Sequence, residues 1–329
     1  MGTLGIILLS LLGITAGTLL LYFGAEGLVK GSASVALRRG IAPLVVGLTI
    51  VGFGTSAPEL VVSVSAAILH NPAIAFGNVV GSNICNIALI LGISALIRPI
   101  KISLRVVKID IIIMISITLI LVIMVLIGKD ITRLEGLILF IGIIIYNFLV
   151  IKLAKKEKSD EKFETTTTKK PWFDIALIIG GLSILVLGAH LFLNSAITIA
   201  KILGASDLII GLTIIALGTS LPELATSVVA AIKNEADISI GNVIGSNIFN
   251  ILCILGVSAL INPIILTGAN SMNLIDIMVL ILVTIILLPL AWSKLEISRL
   301  EGIFLLILYI GYIYYLYSLR LTDIIPPTN

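Results

Sequence analysis

Two glutamates stand in the middle of long apolar stretches, where carboxylates are rare. Glu59 ends the segment GTSAPE and Glu223 ends the segment GTSLPE. In each segment a threonine, Thr55 or Thr219, lies four residues before the glutamate, and on a helix this spacing places hydroxyl and carboxylate on one face. A carboxylate at bilayer depth is costly and by default indicates a functional site. Two such carboxylates facing each other would repel, and a divalent cation would cancel both charges.

Each segment also carries a proline that interrupts the helical hydrogen bonds. Pro58 and Pro222 lack the amide hydrogen and block the intrahelical bond of a carbonyl about one turn earlier, at or near Gly54 and Gly218. An unsatisfied carbonyl is too costly in lipid unless a polar group or a bound cation takes it up. Calcium takes about six to eight oxygen ligands in a flexible cage. The segments therefore predict a calcium site built from two carboxylates, backbone carbonyls and water.

A second motif adds neutral oxygens from the next predicted helix. The sequences GNVVGSNICN and GNVIGSNIFN contain serine and asparagine four residues apart, Ser82 with Asn86 and Ser246 with Asn250. On a helix the two members of each pair face the same side. The glycines of these motifs are by themselves typical of close helix packing. Because oxygen atoms are the ligands that Ca2+ prefers, these four residues join the predicted site.

Histidine and cysteine offer no comparable cluster. His70 stands in an HNP turn and His190 within the sixth apolar stretch, and we expect both to form local hydrogen bonds. Cys85 and Cys253 lie inside apolar stretches, which is typical of small buried residues. The sequence predicts no disulfide, no transition-metal site and no cofactor.

The elements that position these residues are transmembrane helices. Of the 329 residues 59% are hydrophobic and 12% are charged, and the mean hydropathy is +1.23, which excludes a mainly water-soluble globule. The two-residue alternation of an outer-membrane barrel is absent. We predict an all-α polytopic membrane protein with ten transmembrane helices of about 20 residues each. The ten stretches are centred near Leu19, Ser56, Ile87, Ser116, Ile143, Leu185, Ser220, Ile251, Leu280 and Tyr309.

A polar segment from Lys152 to Pro171 divides the chain into halves, residues 1–151 and 172–329, each with five predicted helices. Of the 21 lysines and arginines, 17 fall on the membrane side that this linker occupies. The positive-inside rule therefore predicts a cytoplasmic linker and two extracellular termini, in a multi-pass plasma-membrane protein. The basic residues are spread over five loops, which excludes a contiguous face for nucleic acid. The expected surroundings are the lipid bilayer, and a monomer is sufficient for the site.

The two halves are copies of each other. Gly47–Ala66 and Gly211–Ala230 match at 13 of 20 positions without a gap, at an offset of 164 residues. Because each copy has an odd number of helices, the second is predicted to lie upside down in the membrane. Inverted repeats are a common architecture of secondary transporters, whose substrate sites lie near the membrane midplane. We therefore expect a transporter and not an enzyme.

The repeated motifs closely resemble the two alpha-repeats of the calcium/cation antiporter superfamily, specifically its sodium/calcium exchanger branch, in a compact prokaryotic form. The resemblance implies electrogenic exchange of Na+ for Ca2+ by alternating access, in which the first and sixth helices slide past a core of the other eight. It also implies one calcium position flanked by sodium positions. Matched position by position, the implied calcium ligands are Glu59 and Glu223 with the backbone of Thr55 and Thr219. The implied sodium ligands are the hydroxyls of Thr55, Ser56, Ser82, Thr219, Ser220 and Ser246 and the carbonyls of Gly52 and Ala216. Asn86 and Asn250 complete the predicted set of ion-binding residues.

Four features bear on which branch of the superfamily the sequence resembles. The GNxxE motif of proton/calcium exchangers is absent, and Asn250 stands where potassium-dependent exchangers carry aspartate. Gly52 replaces the usual alanine, which we expect to be tolerated because only the carbonyl is used. The linker is also too short to contain the large regulatory domain of animal exchangers.

Three other functions stay open at this stage. A proton-coupled Ca2+/cation antiporter is the nearest alternative. An intramembrane hydrolase could use Ser56 or Ser220 as its nucleophile, yet neither histidine lies in a matching repeat position to act as its base. A passive cation channel is the third, and countertransport against a gradient would exclude it.

Overall fold

The computed structural model describes residues 3–128, 130–154, 170–203, 216–266 and 274–324, and these residues are almost all helical. Eight helices are long and apolar enough to cross a bilayer, and two shorter helices that meet at an angle of 47° make a ninth candidate span. The all-helical membrane class is thus confirmed, while the number ten stays a prediction. Residues 204–215, part of the apolar stretch centred near Ser220, lie outside the described residues.

Several of the helices contain a wider π-helical stretch, and a short helical turn, Ala216–Gly218, precedes α8. The helices are α1 Thr3–Arg39, α2 Pro43–Thr55 with a π-helical stretch at Gly47–Val51, α3 Ala57–Ile68, α4 Pro72–Ile97 with a π-helical stretch at Cys85–Ile90, α5 Val106–Gly128 with a π-helical start at Val106–Asp110, α6 Arg133–Ala154, α7 Pro171–Ile202, α8 Leu221–Ile232, α9 Ala236–Ile261 with a π-helical stretch at Asn250–Leu255, α10 Leu274–Lys294 and α11 Arg299–Ile324.

The centre of the molecule is formed by α4 and α9, the helices that carry the serine and asparagine motifs. In their most apolar windows 72% and 83% of the residues are buried, against 17% to 33% in the other long helices. The outer helices present large apolar side chains such as Ile127 and Met278 to the surroundings. The apolar excess of the sequence therefore lies on the outside, where lipid solvates it, and the polar motifs lie inside.

Two short antiparallel strand pairs connect the first half of the chain to the second. β1, Ile100–Lys101, pairs with β4, Glu296–Ile297, with Ile100 opposite Ile297. β2, Asp130–Ile131, pairs with β3, Ile264–Ile265, with Ile131 opposite Ile264. Each pair thus joins a loop of one repeat to a loop of the other.

The two longest helices, α1 and α7, pack along a row of small residues. A Cβ atom at Gly24 would lie 2.8 Å from the backbone nitrogen of Leu185, and one at Gly181 would lie 2.7 Å from the carbonyl oxygen of Gly24. About two helical turns further along, a Cβ atom at Gly188 would lie 3.0 Å from the carbonyl oxygen of Gly17. The backbones approach this closely only because these positions carry no side chain.

Helix α6 ends at Ala154 and helix α7 begins at Pro171, and both residues lie close to the ends predicted for the linker. Residues 155–169, which contain most of the predicted linker, lie outside the described residues. Cys85 and Cys253 are buried and free, and their buried position agrees with the prediction from sequence.

Candidate functional site

Both carboxylates lie in the first turn of a helix that follows a break. α2 and α3 meet at Ser56 at an angle of 47°. Pro58 lies at the start of α3, where a missing amide hydrogen leaves no intrahelical bond unmade, and Glu59 follows it. Pro222 and Glu223 occupy the same positions in α8. Each carboxylate therefore lies at a helix N-terminus, whose dipole favours negative charge.

The glutamates are buried and are hydrogen-bonded crosswise. Their exposed fractions are 0% for Glu59 and 1% for Glu223. The hydroxyl of Ser56 donates to Oε1 of Glu223 at 2.7 Å, and the hydroxyl of Ser220 donates to Oε1 of Glu59 at 3.0 Å. Each serine thus binds the glutamate of the other repeat segment, so that the two segments form one site.

The second carboxylate oxygen of each glutamate is uncommitted. Oε2 of Glu59 and Oε2 of Glu223 are both buried and have no hydrogen-bond partner among the described residues. A buried carboxylate oxygen without a partner is costly unless a cation or a proton neutralises it. In the described part of the chain no group of three or more histidine, cysteine, aspartate or glutamate side chains could hold a metal ion. The site is therefore two carboxylates among neutral oxygens, a composition suited to hard cations.

Several of the predicted hydroxyl and carbonyl oxygens contact one another near the glutamates. The hydroxyl of Ser246 donates to the carbonyl of Gly52 at 3.2 Å, and the hydroxyl of Thr55 lies 3.4 Å from the same carbonyl. The hydroxyl of Ser220 lies 3.5 Å from that of Ser82. The structure thus brings the predicted serines and the Gly52 carbonyl to the same place as the carboxylates.

The predicted pairing of Thr55 with Glu59 on one helix face is wrong, because the helix is interrupted between them. The hydroxyl of Thr55 donates to Oδ1 of Asn242 at 3.0 Å, and its side chain lies close to Glu223. Thr219 in turn lies close to Glu59. The threonines therefore follow the same crosswise arrangement as the serines.

Three further predicted residues are less directly connected. Asn86 and Asn250 are each 1% exposed and lie in the π-helical stretches of α4 and α9. Among the described residues neither forms a hydrogen bond with a glutamate, and Nδ2 of Asn250 donates to Oδ1 of Asn83 at 2.9 Å. Ala216 opens the short helical turn before α8. π-Helical stretches inside α-helices are frequent at functional sites.

Two asparagines outside the predicted set form hydrogen bonds with the backbone carbonyls of the glutamates. Nδ2 of Asn78 donates to the carbonyl of Glu59 at 3.2 Å and to the hydroxyl of Ser63 at 2.9 Å. Nδ2 of Asn242 donates to the carbonyl of Glu223 at 3.2 Å and to the equivalent serine hydroxyl at 2.9 Å. Both asparagines are the second residue of the repeated GNVxGSN motif, so the repeat itself was the signal that could have found them.

Two ion pairs tie the long helix α1 to its neighbours. Nε of Arg38 lies 2.8 Å from the buried Oδ2 of Asp174, at the start of α7. Glu26 pairs with Lys233, the residue that follows α8. The first pair reinforces the contact between α1 and α7, and the second joins α1 to the helix that carries Glu223.

The histidines contribute hydrogen bonds outside this site. Nε2 of His190 lies 2.8 Å from Nδ2 of Asn194, one turn away, which agrees with the predicted local role. Nδ1 of His70 lies 3.3 Å from Nδ2 of Asn262, in the loop after α9. His70 thus connects two loops that are distant in sequence, and its bond is not the local one predicted.

Comparison with known proteins gives a consistent result over nearly the whole chain. Residues 9–152 and 173–318 match the family model described as sodium/calcium exchanger protein. The chain is 38% identical to the putative antiporter CaxA of Alkalimonas amylolytica, over 93% of this chain and 98% of that protein. It is 32% identical to the sodium/calcium exchanger MaX1 of Methanosarcina acetivorans, over 92% and 96%. A solved structure of the sodium-calcium exchanger NCX_Mj, soaked with 2.5 mM Na+ and 0.1 mM Ca2+, superposes with a TM-score of 0.81 at 34% identity, covering 93% of this chain and 98% of that one.

Proposed function

Because the chain belongs to the sodium/calcium exchanger protein family, we propose that it exchanges Na+ for Ca2+ across the plasma membrane, electrogenically and by alternating access. The observation that carries the proposal is the pair of buried glutamates, each bonded through one oxygen to a serine of the other segment and each with its second oxygen uncommitted within the described residues. Two carboxylates give the site two negative charges. One Ca2+ neutralises both charges and two Na+ ions do the same, so the two cargo ions compete for one site. Electrogenic exchange requires at least one further Na+ for each Ca2+.

The proposed ligands belong to four chemical classes, which together offer more oxygens than a single Ca2+ needs. The surplus neutral oxygens suit Na+, which carries half the charge. The set consists of the carboxylates of Glu59 and Glu223, the hydroxyls of Thr55, Ser56, Ser82, Thr219, Ser220 and Ser246, the amide oxygens of Asn86 and Asn250, and the carbonyls of Gly52 and Ala216.

The strand pairs support an inverted arrangement of the two repeats. β1 belongs to the loop after α4 and its partner β4 to the loop after α10, and the predicted topology places both loops on the cytoplasmic side. β2 and β3 belong to loops that the same topology places outside. Each pair therefore joins loops of the same predicted side. We propose that the repeats, residues 1–151 and 172–329, are inverted, with a cytoplasmic linker and extracellular termini.

Alternating access needs a part that moves against a fixed site. α1 and α7 are the natural moving part, because they pack on each other through small residues and are joined by the ion pair of Arg38 and Asp174. α1 reaches the helix of Glu223 through the pair of Glu26 and Lys233. A sliding motion of α1 has to break or lengthen this second pair while the first is kept.

The proposal is tested with purified protein in liposomes. Vesicles loaded with Na+ and diluted into Na+-free medium with radiolabelled Ca2+ are expected to take up Ca2+ against its gradient, whereas vesicles loaded with K+ are not. A dependence of the rate on a valinomycin-imposed potential tests electrogenic exchange. Uptake that follows an imposed pH gradient at fixed Na+ would contradict the proposal and favour the proton-coupled alternative.

Alanine at Ser56 or Ser220 is expected to raise the Na+ concentration for half-maximal exchange about tenfold. Each substitution removes a hydroxyl oxygen and the hydrogen bond that holds a carboxylate, and hydrogen bonds to charged groups contribute about 1.5–3 kcal/mol. Ion-replacement flux measures the change. Ser116→Ala is the matched control, because that exposed hydroxyl on α5 donates to the carbonyl of Ile112 in its own helix, away from the glutamates. Na+ dependence equal to that of the control would contradict the assignment.

A further inference from the structure

One hydrogen bond in the centre of the molecule fixes the orientation of a proposed ligand. Nδ2 of Asn250, on α9, donates to Oδ1 of Asn83, on α4, at 2.9 Å. Oδ1 of Asn250 is buried and has no hydrogen-bond partner among the described residues. The amide of Asn250 thus turns its donor to Asn83 and leaves its acceptor uncommitted.

Asn83 is itself held in a single orientation. Its Nδ2 donates to the backbone carbonyl of Asn247 at 3.3 Å, and a carbonyl can only accept. If the amide of Asn83 were rotated, its oxygen would face the carbonyl oxygen of Asn247, another acceptor. If the amide of Asn250 were rotated, its oxygen would face Oδ1 of Asn83, again an acceptor. Both amides are 1% exposed, so that water does not compensate for either error.

The repeat-equivalent pair does not have this arrangement. Asn247 corresponds to Asn83, and Asn86 corresponds to Asn250, at the offset of 164. Both side-chain amide atoms of Asn247 and of Asn86 are buried without a hydrogen-bond partner in the described part of the chain. Of the two side-chain amides proposed as ligands, that of Asn250 is therefore held in one orientation with its oxygen uncommitted. The amide of Asn86 is not held in this way by a described residue.

We propose that Asn83 is a positioning residue, which orients the amide of Asn250 so that its oxygen and not its NH2 group faces the transported cation. This inference rests on the proposed Na+/Ca2+ exchange. A cation gains from an amide oxygen and is repelled by an amide NH2, so a ligand fixed beforehand binds Ca2+ without the cost of being oriented. Asn83 has no contact with the ion in this role and acts through Asn250.

The test compares three variants by the KM for Ca2+ and by kcat in proteoliposomes. Asn83→Leu removes the acceptor and is expected to raise the KM about tenfold, because the freed amide of Asn250 then lies mostly in the rotated orientation and the apparent affinity falls with the fraction that is still correctly oriented. Asn83→Asp, buried and therefore protonated, keeps an acceptor for Nδ2 of Asn250 and an O–H donor for the carbonyl of Asn247, and is expected not to raise the KM. Asn247→Leu, at the repeat-equivalent position whose side-chain amide has no hydrogen-bond partner among the described residues, is expected to leave the KM unchanged. If Asn83→Leu does not reach the membrane, Asn83→Ala, which also lacks the acceptor, replaces it.

The outcomes separate this inference from the proposed function. A wild-type protein without Na+-driven Ca2+ uptake would overturn the proposed function and the inference together. A transporting wild type with an unchanged KM in Asn83→Leu would overturn only the role of Asn83. An equal rise of the KM in Asn83→Leu and Asn83→Asp, or a fall in kcat alone, would also overturn it, because general damage to packing does not depend on an acceptor.

Discussion

Replacing Glu59 or Glu223 by glutamine is expected to lower sodium-driven calcium uptake at least about 100-fold. Glutamine keeps the size of the side chain and an oxygen that accepts the bond from Ser220 or Ser56. It removes one of the two negative charges, so that a bound Ca2+ leaves a net positive charge in a fully buried site. Removing one partner from a buried set of opposite charges costs about 3–5 kcal/mol, and 1.4 kcal/mol corresponds to a factor of ten.

The measurement is initial radiolabelled Ca2+ uptake into Na+-loaded proteoliposomes, with equilibrium Ca2+ binding measured on the same protein. Glu135→Gln is the matched control. Glu135 is half-buried, lies outside the proposed site, and accepts from the backbone nitrogen of Thr132 at 2.7 Å in a capping box, a role that glutamine also fills. The control is expected to transport normally. Normal transport in both Glu59→Gln and Glu223→Gln would remove these residues from the site.

The sequence predicts which residues form the site better than it predicts the hydrogen bonds between them. Glu59, Glu223 and the serines of the repeated motifs are recognisable because polar residues are rare in apolar stretches and because the motif occurs twice. The crosswise bonds of Ser56 and Ser220 join residues more than 160 positions apart, and no local spacing reports such a contact. Helical spacing even suggests the wrong partner for Thr55, because the helix breaks at Ser56.

For the fold, too, the sequence predicts which elements are present but not how they are arranged. Hydropathy identifies the helical membrane class and most of the spans, since apolar length alone decides whether a helix can cross lipid. It does not reveal which helices are central, because α4 and α9 are less apolar than α5 and yet are the most buried. Nor does it predict the π-helical stretches at Cys85–Ile90 and Asn250–Leu255.

Alanine at Gly181 is expected to destabilise the protein by about 1–3 kcal/mol and to abolish most transport. The new Cβ would lie 2.7 Å from the carbonyl oxygen of Gly24 and 2.7 Å from the backbone nitrogen of Leu28. These are backbone atoms of α1, so relief requires α1 and α7 to separate along their whole contact. If the two helices slide as one unit, their separation also uncouples the motion from the site.

The adjacent Gly180 provides the control for this prediction. No described atom lies within 4 Å of a Cβ at Gly180, and alanine is the better helix former, so Gly180→Ala is expected to keep or slightly raise the melting temperature. Gly24→Ala places its Cβ 2.8 Å from the backbone nitrogen of Leu185 in the same contact. The double variant Gly24→Ala, Gly181→Ala is therefore expected to be less destabilised than the sum of the single changes, because the first separation of the helices already accommodates the second methyl group. Thermal unfolding in detergent with parallel uptake assays measures both effects, and a melting temperature of Gly181→Ala equal to that of Gly180→Ala would show that the close approach of α1 and α7 does not hold the molecule together.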